Sequence, residues 1–365
     1  MKLICFHLFN DYSGSPKVLK NLLCNLLEKD VKIELITSRG GILDELPARD
    51  NLKRRSYRYR FSNNAAVTTL RYLLAQIYTF FIALGYIFDR KAVFYINTIL
   101  PIGPAIAGRL TGKRVIYHYH ENATVKSGPY RTLAWCMQKI ATEIICVSSY
   151  QRSFLKREKD VYVVPNALED SFIGKLLPCP QKAFDRQRVL MLGSLKGYKG
   201  TLEFMEIAKR LPQFHFELVL NESQENIDLF LKANAIKSLH NLTIYPRHDD
   251  VSPFYNRASI VLNLSNKEQF IETFGLTALE AMSAGLPVIV PTVGGIAEMV
   301  TDGENGYKID VQEPDKIEEN IKNILSNREL YISLSMGALK TSKKYSATQM
   351  AGAILNRIKN DRSDQ

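Results

Sequence analysis

The order strand, glycine-containing turn, helix, strand opens the chain and restarts near its middle, and this repeat restricts the fold more than any other feature of the sequence. Lys2–Phe9 is a short apolar run of the kind buried on both faces of a parallel sheet. The turn Tyr12-Ser13-Gly14-Ser15-Pro16 follows it, and Val18, Leu19, Leu22, Leu23, Leu26 and Leu27 then recur at helical spacing before a second apolar run, Val31–Thr37. Ala92–Ile96, Arg114–Tyr119, Glu143–Val147 and Val161–Val164 continue the strand series. The pattern begins again with Arg188–Leu192, a Gly-rich turn over Gly193–Gly200 and a helical stretch over Thr201–Leu211. Strand runs follow at His215–Leu220, Leu242–Ile244, Ser259–Leu264, Pro287–Val290 and Tyr307–Ile309. Alternation of this kind predicts α/β architecture with parallel sheets, here two domains in tandem. The predicted boundaries are 1–168 for the first domain, 169–187 for a linker rich in charge and carrying Pro178 and Pro180, 188–344 for the second domain, and 345–365 for a closing helix and tail.

A chain of 365 residues with 46% hydrophobic and 23% charged side chains has enough apolar content for two real cores. The five cysteines, Cys5, Cys24, Cys136, Cys146 and Cys179, form no C-x-x-C pair. That spacing gives no zinc signature and fits a reducing compartment. The opening Met1–Asp11 lacks the apolar length and cleavage site of a secretory signal, so a cytoplasmic location is expected.

Charge is distributed unevenly. Residues 1–174 hold 25 Lys and Arg against 14 Asp and Glu, whereas residues 175–365 hold 23 of each, so the first half carries the entire net charge of +11. Such a half attracts an anionic partner. Two stretches concentrate the effect. Lys53–Arg60 is a basic run interleaved with tyrosines, and Tyr72–Phe88 is an uncharged stretch rich in Leu, Ile, Phe and Tyr. Seventeen helical residues reach about 25 Å, short of a hydrocarbon core of about 30 Å, so an interfacial or buried helix is favoured over a span. No nucleic-acid recognition motif accompanies the charge, and a nucleic-acid partner is not expected.

The richest chemistry lies in Ser265–Tyr307. After the strand ending at Leu264, a loop leads to a helix expected to begin near Phe274, with Thr273 as its N-cap and Gly285-Leu286-Pro287 as its stop. Ligands of parallel sheets bind beyond the carboxyl ends of strands. There the amides of Gly275, Leu276 and Thr277 would face an anion, and the glycine would allow close approach. Glu280 sits within the apolar Leu276–Met282, where a carboxylate needs partners. A vicinal diol supplies two hydroxyl donors, and a lysine or backbone amide in the core is the other partner the residues allow. Two turns of helix place Glu280 about 9 Å from the helix start, so it and Glu272 would serve opposite ends of one ligand.

Glu272-Thr273-Phe274-Gly275-Leu276 followed by Glu280 resembles the E-x7-E hallmark of family 4 of the retaining GT-B glycosyltransferases. Ala284–Ile289, Gly294-Gly295-Ile296-Ala297-Glu298 and Asp302–Tyr307 match further blocks of that family in order, as do Val147-Ser148-Ser149 and Pro165–Leu168 more loosely. The resemblance implies two Rossmann-like domains facing across a cleft, with the helical run Tyr345–Ile358 crossing back to the first domain. It implies a nucleotide-sugar donor, UDP- or GDP-linked, as substrate, with no separate cofactor and no metal. The chain has no D-x-D, and Asp249 and Asp250 are adjacent. Donor-binding residues by the resemblance are Gly14, Lys199, Thr273, Phe274, Gly275, Leu276, Thr277 and Glu280, with His120 and Glu272 as catalytic residues. Ser194 stands where many members have arginine, which leaves open whether Lys196 replaces it. His118 and His120 share one face of their strand, and His120 is chosen as nearer its carboxyl end. The implied acceptor is a glycan or lipid-linked saccharide in cell-surface polysaccharide synthesis, met at the inner face of the cytoplasmic membrane. Lys53–Arg60 and the Tyr72–Phe88 helix would then meet an anionic membrane surface. Another GT-B enzyme such as a nucleotide-sugar epimerase, a noncatalytic sugar-nucleotide binding module and a nucleic-acid binder are the rival readings.

Overall fold

The computed structural model describes residues 2–123 and 128–359. The chain divides into two units, Met1–Ala167 with Ala347–Gln365, and Leu168–Ser346.

In the first unit seven strands form one parallel sheet: β1 (Lys2–Phe6), β2 (Lys32–Ser38), β3 (Leu52–Tyr57), β4 (Ala92–Asn97), β5 (Arg114–Tyr119), β6 (Glu143–Cys146) and β7 (Val161–Val163). Their order is β3-β2-β1-β4-β5-β6-β7. The chain therefore builds outward from β1 in one direction, then crosses back and builds the other way from β4. Right-handed crossovers place helices on opposite faces for the two directions. Helix α1 (Gly14–Glu28) takes one face, and α2 (Ala65–Leu84), α3 (Ile102–Leu110) and α4 (Gly128–Ile140) take the other. Phe6, Phe94, Ile96, Tyr117, Ala105 and Met137 fill the core beneath α2–α4.

The basic run is not a loop. Its first part is the edge strand β3, where Arg55 pairs with the buried Glu34 of β2 at 2.6 Å. Lysine and arginine are tolerated on an edge, where one side of the strand stays in water. The apolar helix starts earlier than its uncharged stretch, at Ala65, because the Asn64 side chain accepts from the amides of Ala66 and Val67. It ends at Leu84, so Phe88 lies beyond it.

The second unit has six parallel strands: β8 (Arg188–Gly193), β9 (His215–Leu220), β10 (Leu242–Tyr245), β11 (Ile260–Leu262), β12 (Val288–Val290) and β13 (Gly306–Lys308). Their order, β10-β9-β8-β11-β12-β13, repeats the reversal seen in the first sheet. The segment expected as a linker, 169–187, carries the short helices Asp170–Ile173 and Pro180–Asp185 and groups with the second unit. Phe184 makes an edge contact with the buried Tyr331 at 5.4 Å, and this apolar anchorage outweighs the charge and prolines around it. The closing helix, Ala347–Lys359, returns to the first unit. Arg114 of β5 donates to the carbonyls of Arg357 and Ile358 at 2.7 and 2.9 Å, and Arg357 lies over the Tyr162 ring at 4.1 Å.

Candidate active site

Each sheet has one place where its strand order reverses, between β8 and β11 in the second unit and between β1 and β4 in the first. Loops leaving neighbouring strands there diverge to opposite faces and open a crevice at the carboxyl ends, the usual ligand position in open α/β sheets. Gly14, Lys199 and the segment Glu272–Thr277 follow strands at these two reversals, and His120 follows β5, the strand next to β4.

In the second unit the loop after β8 and the loop after β11 are locked together. Gly200 has φ +74°, and a Cβ on it would come within 2.2 Å of the Leu264 carbonyl oxygen. The amide of Asn266 donates to the Tyr198 carbonyl at 2.8 Å. Phe270 stacks on Tyr198 with ring centres 4.7 Å apart. Lys199 lies over Phe270 at 4.4 Å and forms an ion pair with Glu272, whose carboxylate also accepts from Ser265 Oγ at 3.1 Å. Lys199 and Glu272, 73 positions apart in sequence, are thus direct partners. Lys196 is exposed, and the Ser194 carbonyl accepts from the Thr201 hydroxyl at 3.0 Å.

The helix after this loop starts at Leu276, two residues later than expected, and its N-cap is Gly275 at φ +91°. Thr273 is not the cap. The left-handed turn at Gly275 reverses the chain abruptly, a conformation glycine takes without a Cβ penalty. A Cβ at 275 would also meet the Ile296 side chain at 2.4 Å. The amides of Ala278 and Leu279 donate back to the Gly275 carbonyl. Those of Gly275, Leu276 and Thr277 have no acceptor among the described residues, and they form the positive end of the helix dipole. Phe274 is buried and packs edge-on against Tyr345, with ring centres 5.7 Å apart. The matched G-G block closes the other side: the Gly295 amide donates to the Glu272 carbonyl at 2.8 Å.

Glu280 is half-buried, and its carboxylate accepts the hydroxyl of Tyr255, a fully buried residue of the helix Ser252–Arg257. Burial and the adjacent carboxylate push the Tyr255 hydroxyl pKa well up, so it stays a donor. Tyr255 was not legible in the sequence, because nothing in Ser252–Arg257 marks a tyrosine aimed at a carboxylate. A depression at the ends of β9 and β10, lined by Asn221, Glu222, Ser223, Asn226, Pro246 and Arg247, completes the polar edge of this sheet.

In the first unit His120 follows the last residue of β5 and is half-buried, whereas His118 is fully enclosed. His118 Nδ1 is 2.8 Å from the Tyr95 hydroxyl, and its ring lies 4.1 Å from that of His120. The placement selects His120 as the accessible ring of the two. His120 Nε2 sits 3.0 Å from Asn97 Oδ1, and Asn97 Nδ2 sits 3.1 Å from His7 Nδ1. With the amide in this orientation, His120 donates from Nε2 and His7 accepts at Nδ1. Asn97, the last residue of β4, therefore bridges rings that follow β1 and β5. Burial holds all three histidines neutral, His7 down to about 4, His118 down to about 3, and His120 well below its ordinary value with the neighbouring rings assisting. Asn97 and His7 had no sequence signal, because only the β1-β4-β5 adjacency brings them to His120. Gly14 is the first residue of α1, at the same end of the sheet, and Asn97 Nδ2 lies 3.4 Å from the neighbouring Ser15 carbonyl. Among the described residues no group of three or more His, Cys, Asp or Glu side chains is placed to share a metal ion.

Both sheets, their orders and their helices define a GT-B glycosyltransferase fold. Over 98% of this chain and 99% of the other, it superposes on Anabaena HepE, solved in complex with UDP-glucose, with a TM-score of 0.79 at 16% identity. Residues 180–341 match the family described as Glycosyl transferases group 1. An uncharacterized glycosyltransferase of Methanocaldococcus jannaschii is 27% identical over 56% of this chain and 55% of its own length. Mannosylfructose-phosphate synthase of Agrobacterium fabrum is 25% identical over 60% of this chain and 52% of its own. The chain thus spans about half the length of these curated relatives.

Proposed function

We propose that the protein is a retaining glycosyltransferase of family 4, taking a sugar from a UDP- or GDP-linked donor to a glycan or lipid-linked saccharide. The observation that carries the reading is the β8/β11 reversal, where the unpaired amides of Gly275, Leu276 and Thr277 lie beside the Lys199–Glu272 pair, with Glu280 further along the same helix. Amides and Lys199 suit a diphosphate, and Glu280 suits the ribose hydroxyls. Glu272, held by Lys199 and Ser265, faces the hydroxyls of the transferred sugar, and His120 contacts that sugar near its reacting carbon, with Nδ1 as an acceptor because Nε2 donates to Asn97. The acceptor oxygen attacks the anomeric carbon as the bond from that carbon to the phosphate oxygen breaks. The acceptor proton passes to the departing phosphate oxygen, and nucleoside diphosphate leaves. Fixed amides and a lysine stabilise that leaving group without reorganising. This assignment needs no covalent enzyme nucleophile. The setting proposed for the reaction is the inner face of the cytoplasmic membrane, in cell-surface polysaccharide synthesis.

The test is turnover of UDP- and GDP-sugars with and without a saccharide acceptor, read by NMR of the glycosidic product. Acceptor-dependent release of nucleoside diphosphate, with the donor's anomeric configuration kept in the product, is expected. A mass-identical epimer formed without acceptor, or donor binding without any turnover, would replace the reading with an epimerase or a binding module respectively.

A further inference from the structure

Helix α2 is turned inside out for a helix at a water-facing surface. Its buried positions are Ala75, Gln76, Thr79 and Ala83, which are small or polar. Beside the exposed Thr69 and Arg71, it exposes large apolar side chains: Leu70 is 58% accessible, Leu74 56%, Ile77 54% and Phe81 65%. These four, with Val67 and Tyr78, fall within about 100° of helical arc at 3.6 residues per turn. Contiguous exposed apolar surface on this scale marks an interaction site. Two further rings stand out beside the helix in sequence, Phe61 before it and Phe88 after it, 58% and 93% accessible.

The charge around this helix identifies the partner. Residues 51–88 contain six Lys and Arg and no Asp or Glu. Arg54 and Arg55 are used internally, the first on the carbonyls of Leu46 and Pro47 and the second on Glu34. Lys53, Arg58 and Arg60 are exposed and form no ion pair among the described residues. An apolar stripe flanked by unpaired cations complements a surface with anionic headgroups above hydrocarbon. A second copy of this face would bring its cations against like charge.

The helix is also fixed to its own unit. Gln76 Oε1 accepts from the Gly103 amide at 2.9 Å, and the Tyr72 hydroxyl donates to the Leu100 carbonyl at 2.9 Å. Gly103 lies so close to α2 that a Cβ there would come within 2.2 Å of the Gln76 carbonyl oxygen. Although α2 is long and apolar enough to cross a bilayer, crossing would break these contacts and expose Gln76 and Thr79 to lipid.

We propose that α2 is an in-plane membrane anchor: Leu70, Leu74, Ile77 and Phe81 enter the interface of an anionic lipid bilayer while Lys53, Arg58 and Arg60 meet its headgroups. This deepens the proposed function by naming the surface at which a lipid-linked acceptor is met, and it rests on that reading for the acceptor alone.

Flotation of the full chain with vesicles tests it, using equal parts phosphatidylglycerol and phosphatidylcholine against phosphatidylcholine alone. The wild type is expected to float with the anionic vesicles, at least tenfold more weakly with the neutral ones, and to be released by alkaline carbonate. Leu74→Ser/Ile77→Ser/Phe81→Ser removes side chains that already face solvent, and is expected to abolish flotation. Arg58→Glu/Arg60→Glu is expected to weaken it at least tenfold and to remove its dependence on salt. Thermal shift by UDP and GDP, measured on the same variants, separates this proposal from the catalytic one, since Lys199, Glu280 and the Gly275–Thr277 amides, the groups proposed to hold the nucleotide, belong to the other unit. Absence of binding to anionic vesicles, binding indifferent to the triple substitution, or carbonate-resistant retention would overturn the proposal. A dimer of the wild type that the triple substitution dissolves would overturn it too, with a second copy as the occupant.

Discussion

Replacing Gly275 by alanine tests the structure of the helix end that Gly275 caps quantitatively. The residue has φ +91°, and an added Cβ would meet Ile296 Cγ1 at 2.4 Å and its Cβ and Cδ1 at 2.7 Å. Ile296 is fully buried, so it has no solvent-facing rotamer to escape into. Left-handed backbone costs alanine about 1–2 kcal/mol, and overpacking a closed core adds about 1–3 kcal/mol. Gly303 supplies the control, with φ +77° and nothing within 4 Å of its added Cβ. Gly303→Ala therefore isolates the backbone part, about 1–2 kcal/mol, and Gly275→Ala should cost about 2–5 kcal/mol. For a unit of this size that lowers Tm by roughly 5–15 °C. Ile296→Ala alone leaves a cavity costing about 2–5 kcal/mol. Combined with Gly275→Ala it should cost less than the two singles together, with a coupling of about 1–2 kcal/mol, because the added methyl enters the space vacated. Calorimetry with the four proteins completes the cycle. Equal losses for Gly275→Ala and Gly303→Ala, or strict additivity with Ile296→Ala, would refute the packing described and with it the fixed presentation of the Leu276 and Thr277 amides.

Three further outcomes follow from the site geometry. His7 and His118 are held neutral, down to about 4 and about 3. Below their unfolded value near 6.5 the unfolded chain binds the extra protons, so the stability they confer is full above that pH and is lost on acidification toward the folded values. At pH 5 each ring should cost the first unit about 2 kcal/mol relative to pH 7; urea titrations of wild type and His118→Leu across this range check it, and a wild-type acid limb as flat as the variant's would contradict it. Lys199→Met should shrink the preference for a nucleoside diphosphate over its monophosphate by about tenfold, the worth of one well-placed charge-assisted contact, as calorimetric titration would show; an unchanged preference places the diphosphate elsewhere. Asn97→Ala removes the acceptor that orients His120 Nε2, so turnover should fall at least tenfold at unchanged nucleotide affinity, with a changed His120 tautomer ratio in nitrogen NMR. Unaltered turnover and tautomer would reduce Asn97 to a packing residue.

What the sequence revealed depended on whether the controlling interaction was local. The strand runs were legible because burial on both faces of a parallel sheet leaves uninterrupted apolar segments, as in Ala92–Ile96 and Val288–Val290. β3 was hidden because its edge position lets Lys53, Arg54 and Arg55 stand where a central strand would carry valine or isoleucine. The N-cap was misplaced at Thr273 because the ordinary capping preference of threonine competes with the left-handed turn that Gly275 makes against Ile296, a contact invisible locally. Glu280 and Glu272 were found as acids at a spacing, but their described partners, Tyr255 for one and Lys199 with Ser265 for the other, come from other elements. Asn97 and His7 reach His120 only through the strand order. The direction of α2 could not be read either: its composition marks an apolar helix, and only packing shows that the small, polar side is the buried one.

The central claim is that Glu280 receives the ribose of a nucleotide-sugar donor. Calorimetric titration of UDP, GDP and their 2′,3′-dideoxy forms onto wild type and Glu280→Gln tests it most directly. One of the two natural nucleotides should bind wild type and lose about tenfold or more in affinity with Glu280→Gln, in line with a hydrogen bond to a charged group, while its dideoxy form binds both proteins alike. Equal affinity of the natural nucleotide for both proteins, or no binding of either nucleotide to wild type, would contradict the account.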